Sequence, residues 1–267
     1  MAEPRSDCEW VPYSLFLCYS CRHVGRGPGL DAHVAGFAEK VAGWERLSFE
    51  DGFLVATTPD PLGVGRLANH VRERLHGNSA FFNVNRHLDP TNVCVASCGL
   101  CAFADKYGGS RGRTYAVELA VVITARDVTE TVTELHIVGG LKPKLGVEFC
   151  KVLFQALKLR SSWIHIKALR MVELDFLSQC SKLPVGEVVG RFMTAGLDSC
   201  PRGGAEISAD RVRARICDHK ASEERGLEIA RTVHRLRLRS NCTMLYGHIE
   251  TPEERGDHLV RLRELQE

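Results

Sequence analysis

The chain has 267 residues, 44% hydrophobic and 25% charged, with 35 basic residues against 33 acidic and a net charge of +2. Such a composition excludes a disordered or low-complexity protein, and the near-neutral balance speaks against nucleic acid or an anionic membrane as partner. The 11 cysteines, about 4% of residues, are too dilute for a disulfide scaffold and are odd in number, so reduced thiols and a cytoplasmic setting are expected.

Residues 1–29 read as an irregular extension closed by Gly25-Arg26-Gly27-Pro28-Gly29. No strand leads into that run and no Lys-Ser/Thr follows it, so a linker is expected, not a phosphate loop. Glu3, Asp7 and Glu9 stand where a signal peptide carries its basic residues. The apolar stretch at 10–19 is broken by Pro12 and Ser14, well short of the roughly 20 residues that span a membrane.

A helical segment is expected over 30–79. It holds an apolar face in 33–41, an N-cap at Ser48 ahead of Glu50 and Asp51, and Leu67, Val71 and Leu75 at helical spacing. From residue 80 to 267 the spacing predicts strands at 80–85, 134–138, 164–168, 197–200 and 241–245. Helices are predicted at 114–126, 147–159, 187–195 and 222–236, and Thr251-Pro252-Glu253-Glu254 opens a last one. β-α repeated five times with crossover-length connections is an α/β pattern, a (β/α) barrel in the making. Counted strand by strand, the barrel reads as lacking its last strand or strands at the C-terminus.

The sharpest local feature is Cys94-Val95-Ala96-Ser97-Cys98-Gly99-Leu100-Cys101, a C-x3-C-x2-C spacing just after the first expected strand. Three thiolates so spaced can wrap one compact site from a single loop, and iron–sulfur clusters and zinc both favour thiolate. Structural zinc wants four closed ligands, and the other near-cluster, Cys8, Cys18 and Cys21, lies in the irregular extension. A [4Fe–4S] cluster on three cysteines leaves one iron open for a cofactor. On spacing alone, a cluster, a zinc ion and three small buried cysteines all stay open.

The surrounding residues resemble the radical S-adenosylmethionine superfamily and, within it, the aminofutalosine synthase family of menaquinone biosynthesis. Asn85-Arg86-His87-Leu88-Asp89-Pro90-Thr91-Asn92-Val93-Cys94 is similar to that family's N-x-H-I-N-P-T-N-x-C. Glu134-Leu135-His136-Ile137-Val138-Gly139-Gly140, His165-Ile166-Lys167-Ala168, Gly203-Gly204-Ala205-Glu206-Ile207 and the run 243–251 extend the likeness over 30–267.

The resemblance implies a radical S-adenosylmethionine partial TIM barrel. Cys94, Cys98 and Cys101 would hold a [4Fe–4S] cluster, and S-adenosyl-L-methionine would chelate its fourth iron. A 5′-deoxyadenosyl radical would then add to 3-[(1-carboxyvinyl)oxy]benzoate, giving 6-amino-6-deoxyfutalosine. An electron donor such as flavodoxin or ferredoxin is implied as partner. Leu100, Gly139, Gly140, Glu173 and Glu206 are the expected contacts of S-adenosylmethionine. Lys167, Arg215 and Lys220 are candidate partners of the substrate carboxylates, since strand ends and their loops face a barrel site.

His136, inside a buried strand, is expected as a hydrogen-bonded core histidine. Arg231 and Arg235 are expected on a solvated helix face, and Cys150, Cys180, Cys200, Cys217 and Cys242 as small core residues. Four positions depart from the family text. Leu100 replaces an aromatic, Lys142 a histidine, Arg170 a threonine and Arg202 a glycine. Three rival readings are a cyclic dehypoxanthinylfutalosine synthase, an inactive truncated homologue and a zinc-binding structural domain.

Overall fold

The computed structural model describes residues 32–202 and 206–267. The extension over 1–29 with Cys8, Cys18 and Cys21, and the Gly203-Gly204-Ala205 run, lie outside the described residues. The chain divides into two compact units, Met1–Ser79 and Ala80–Glu267.

In the first unit, α1 (Ala32–Gly43), α2 (Phe49–Thr57) and α3 (Pro61–His76) bury Val34, Phe37, Val41 and Leu67 against one another. Ser48 begins α2 through a capping box. Its Oγ accepts the Asp51 N–H at 3.2 Å, and the Asp51 carboxylate accepts the Ser48 N–H at 2.7 Å. Asp60 caps α3 by accepting the Gly63 N–H at 2.8 Å, with Pro61 at the first helical position.

The second unit starts with β1 (Asn85–Leu88) and two short strands, β2 (Val93–Cys94) and β3 (Asp105–Lys106), which pair with each other. Next come α4 (Val117–Asp127), β4 (Glu134–Ile137), α5 (Val147–Arg160) and β5 (His165–Ala168). α6 (Met171–Ser181), α7 (Val185–Ala195), β6 (Ser199–Arg202), α8 (Asp210–Ile216), α9 (Glu223–Arg235), β7 (Arg239–Cys242) and α10 (Pro252–Gln266) complete it. Thr251 opens α10 with a second capping box, closed by Glu254.

Five strands make one parallel sheet in the order β1-β4-β5-β6-β7. Each strand lies beside the next one in the chain, which is the winding of a barrel; a doubly wound sheet reverses its order. Among the described residues β1 and β7 are the edges, so the barrel is partial and open. Its apolar face carries Leu88, Leu135, Ile137, Ile166, Ala168 and Cys200, packed on Leu153, Phe154, Leu174, Phe192 and Val233 of the helix layer. Side chains alternate along a strand, so the opposite face presents Asn85, His87, Glu134, His136, His165, Lys167 and Ser199.

Several expectations are corrected. The first strand is Asn85–Leu88, not 80–85; Phe81 and Phe82, which suggested it, are 83% and 89% exposed. The last strand is Arg239–Cys242, not 241–245. Two helices, not one, connect β5 to β6 and β6 to β7. Cys180 and Cys242 are exposed and are not core residues, whereas Cys200 and Cys217 are buried as expected.

Candidate functional site

The cysteine loop leaves β2 and folds over the C-terminal ends of the sheet strands. Cys94 ends β2, its carbonyl accepting the Tyr107 N–H at 3.1 Å and its Sγ the Leu141 N–H at 3.3 Å. Leu141 in turn accepts the Val95 N–H at 3.0 Å, so the loop is stitched to the turn after β4. Gly99 donates to the Ile216 carbonyl at 3.1 Å, which ties the middle of the loop to the end of α8. Cys94, Ala96, Leu141 and Val172 form a small apolar cluster beneath it, with Cys98 and Phe176 alongside.

Cys94, Cys98 and Cys101 line one open cleft of about 920 Å³, part of which is continuous with solvent. His87, Leu100, Phe103, Gly139, Gly140, Arg170, Glu206 and Lys220 share its wall, as does Asp89. All three thiols are free, graded from buried Cys94 through half-buried Cys98 to exposed Cys101. Burial pushes the Cys98 thiol above its usual range, and the Lys220 ammonium pulls it back. Among the described residues no three His, Cys, Asp or Glu side chains converge as ligands of a single metal ion. An all-thiol donor set on one loop, open to one cleft, fits an iron–sulfur cluster.

The double glycine is explained by protein packing. A Cβ on Gly140 would overlap the Val93 carbonyl, and one on Gly139 would lie 3.2 Å from the Thr91 oxygen. Only glycine lets the strand carrying Cys94 press onto this turn. The Gly140 N–H donates to the Thr91 carbonyl at 2.8 Å and the Gly139 N–H to Glu173 Oε1 at 3.0 Å.

Glu173, in the first turn of α6, is buried. Its Oε2 accepts the Arg170 backbone N–H at 2.9 Å and Nε at 2.8 Å, while Arg170 Nη2 donates to the Gly139 carbonyl at 2.8 Å. Both carboxylate oxygens are thus engaged, and Glu173 does not line the cysteine cleft. It borders a second, mainly apolar hollow of about 490 Å³ behind the glycines.

Glu206 does line the cleft, held at φ +59° with its carbonyl accepting the Leu245 N–H at 2.8 Å and its carboxylate paired to Lys220. Lys220 therefore faces the cysteine loop, while Arg215 is exposed on α8 and Lys167 half-buried on the polar face of β5. Arg231 and Arg235 are exposed, as expected.

Three cleft residues were passed over in the sequence: His87, Asp89 and Phe103. Phe103 stands two positions after Cys101, 41% exposed in the same cleft as Leu100, so an aromatic is present after all. Asp89, where the family text has Asn, is raised by burial, while His87, Arg113, His136 and Arg170 draw it down. His136 is no core histidine; it is half-buried on the polar face with its ring 4.8 Å from that of His87. Ser208, His258 and Glu223 meet like a nucleophile and its base, but all three are buried and their contacts tie α10 to α9.

No protein-family model matches the chain. Aminodeoxyfutalosine synthase of Thermus thermophilus is 41% identical over 237 residues, which cover 89% of this chain and 64% of that protein. Its counterpart in Streptomyces coelicolor is 41% identical over 229 residues, 86% of this chain and 59% of that one. This chain resembles aminodeoxyfutalosine synthase. It spans less than two thirds of either synthase's length. A 5-amino-6-(D-ribitylamino)uracil–L-tyrosine 4-hydroxyphenyl transferase of Methanosarcina mazei is 33% identical over 217 residues, 81% of this chain and 56% of that protein. That likeness is weaker than the likeness to aminodeoxyfutalosine synthase.

Among solved structures, the methylornithine synthase PylB superposes with a TM-score of 0.65 at 14% identity, covering 85% of this chain and 64% of that one. HydG, a maturase of the [FeFe]-hydrogenase, gives 0.69 at 12%, covering 88% and 51%. These likenesses show the fold: an open partial barrel shared with both structures. No helix among the described residues is long and apolar enough to cross a membrane.

Proposed function

We propose that this chain carries the radical-generating core of an aminofutalosine synthase-like enzyme of menaquinone biosynthesis, acting in the cytoplasm with a flavodoxin or ferredoxin as electron donor. One observation carries the reading: three free thiols from a single loop, the glycine turn after β4 and the Glu206–Lys220 pair all wall one cleft at the C-terminal ends of parallel strands. Barrel enzymes place their chemistry at that end. Residues 30–79 then form a helical segment and 80–267 the barrel core, a division that the two compact units support.

Cys94, Cys98 and Cys101 hold the [4Fe–4S] cluster in this reading. When bound, the cluster and S-adenosylmethionine supply a 5′-deoxyadenosyl radical by one-electron cleavage of the sulfonium. The chain's own residues have other tasks. Lys220 sits against the thiol loop and favours thiolate, readying the ligands. Leu100 and Phe103 offer the apolar and aromatic surface on which an adenine stacks. Gly139 and Gly140 keep the loop seated, and Glu173 holds Gly139 through its amide while Arg170 holds its carbonyl. Glu206, Lys167, Arg215 and Lys220 are the polar groups proposed to meet ribose and substrate carboxylates.

Anaerobic reconstitution followed by reaction with S-adenosylmethionine and 3-[(1-carboxyvinyl)oxy]benzoate tests the reading. Capture of the adenosyl group in 6-amino-6-deoxyfutalosine supports it. With dehypoxanthine futalosine as substrate instead, ring closure accompanied by release of free 5′-deoxyadenosine from S-adenosylmethionine points to the cyclic dehypoxanthinylfutalosine synthase.

A further inference from the structure

The register of the sheet aligns one residue from each strand into a single transverse row. His87 of β1 is opposite His136 of β4, His136 is opposite Lys167 of β5, Lys167 is opposite Ser199 of β6, and Ser199 is opposite Arg239 of β7. All five lie on the inner face, since the alternate residues Leu88, Leu135, Ile137, Ile166, Ala168, Cys200 and Leu238 are in the helix-side core. Neighbouring members are about 5 Å apart, one strand spacing. The His87 and His136 rings bear this out at 4.8 Å between centroids.

The row is basic and unspent. Among the described residues His87, His136, Lys167 and Arg239 make no hydrogen bond or ion pair. Half-buried cations elsewhere in the unit are committed, Arg170 to Glu173, Lys220 to Glu206 and Lys158 to Asp198, whereas half-buried Lys167 is not. His136 and Lys167 are half-buried, and donors so placed are costly unless an anion or water meets them, while His87 and Arg239 are exposed at the two ends of the row. The row begins at the cysteine cleft, because His87 lines both. Two carboxylates flank it. Asp89 lies toward the cleft, and Glu134 lies one step toward the N-terminal end of the strands, where its buried Oε1 has no hydrogen-bond partner. Both carboxylates also act on His136, so the favoured position for an anion is against the Lys167 ammonium, with the His136 ring beside it.

We propose that this row is a carboxylate shelf: an aryl carboxylate of the substrate lies across His136 and Lys167, with His87 and Arg239 at its two ends. The proposal rests on the functional reading above and refines it, because it takes the carboxylate role away from exposed Arg215 and committed Lys220 and gives it to the strands. A planar ring standing on such a shelf projects its other end past His87 into the cleft, toward the cysteine loop.

The test uses two probes of equal shape, 3-hydroxybenzoate and its neutral counterpart 3-hydroxybenzamide, with the full chain. Binding by titration calorimetry is expected to favour the benzoate at least about tenfold, the range of one charge-assisted contact. Histidine ring resonances of His87 and His136 are expected to move with the benzoate and not with the amide. Lys167→Met is expected to cost the benzoate about tenfold and Arg239→Gln about threefold, leaving the amide unchanged. If Lys167→Met fails to fold, exposed Arg239→Gln and the ring resonances still decide. Equal affinity for both probes, or motionless histidine resonances, overturns the shelf. Cleavage of S-adenosylmethionine by the reconstituted wild-type chain is measured separately. Its absence with benzoate selectivity intact sinks the radical-enzyme reading and leaves the shelf.

Discussion

The Glu173 carboxylate stands 3.0 Å from the Gly139 backbone N–H, joining the first turn of α6 to the glycine turn that seats the cysteine loop. Arg170 closes the same ring, donating to Glu173 at 2.8 Å and to the Gly139 carbonyl at 2.8 Å. Removing one partner of a buried pair leaves the other uncompensated, which typically costs about 3–5 kcal/mol. Glu173→Ala should fall near the lower figure, since Arg170 is 29% exposed and water can reach it. Urea denaturation checks this. A double-mutant cycle with Arg170→Ala should show coupling well above zero; additivity would mean that the clamp is not energetic.

Gly140→Ala should prevent the strand carrying Cys94 from seating, because the added methyl collides with the Val93 carbonyl backbone. Backbone cannot move aside as a side chain does. The variant is expected to lose iron uptake, and to melt lower, more than Gly139→Ala, whose Cβ would meet Thr91 oxygen at 3.2 Å. Iron content and a thermal melt of the two variants make the comparison.

Lys220 lowers the Cys98 thiol against the upward push of burial. Lys220→Met should therefore raise that thiol further and slow its alkylation by iodoacetamide at mildly alkaline pH. Measured on a variant whose other described cysteines are serine, an unchanged rate would place Lys220 elsewhere.

Asp89 carries a pH signature. Burial raises its carboxyl above the usual range, so the ionised form is disfavoured in the folded chain. Its contribution to stability is full below the unfolded value and is lost as pH rises through the folded one. Asp89→Asn should thus stabilise at neutral pH, with the gain fading below about pH 4, the ordinary carboxylate region. His136 has the opposite sign. Burial first, then His87 and Lys167, hold it below 6.5, so its contribution is present above that value and lost as pH falls. Histidine NMR titration of wild type and Lys167→Met should show the His136 value rise when the neighbouring ammonium is removed.

What the sequence made legible was whatever depends on near neighbours. Ser48 and Thr251 announced their helices because a capping box is written within four residues. The cysteine loop was legible for the same reason. The first strand was misplaced because Phe81 and Phe82 look like strand residues, whereas Asn-Arg-His-Leu does not. Its polar alternate residues face a lumen, which only the folded sheet creates. His136 was read as core because a strand with Leu135 and Ile137 reads as buried on both faces. The row from His87 to Arg239 joins residues far apart in the chain and depends on register, which no local pattern records.

The most direct test of the central claim is anaerobic reconstitution of the chain with iron and sulfide, beside single alanine variants of Cys94, Cys98 and Cys101. The account predicts about four irons per chain with a thiolate-ligated cluster spectrum in the wild type, reductive cleavage of S-adenosylmethionine, and loss of both in each variant. Zinc without iron in the wild type, or a cluster that survives loss of any one of the three cysteines, would contradict it.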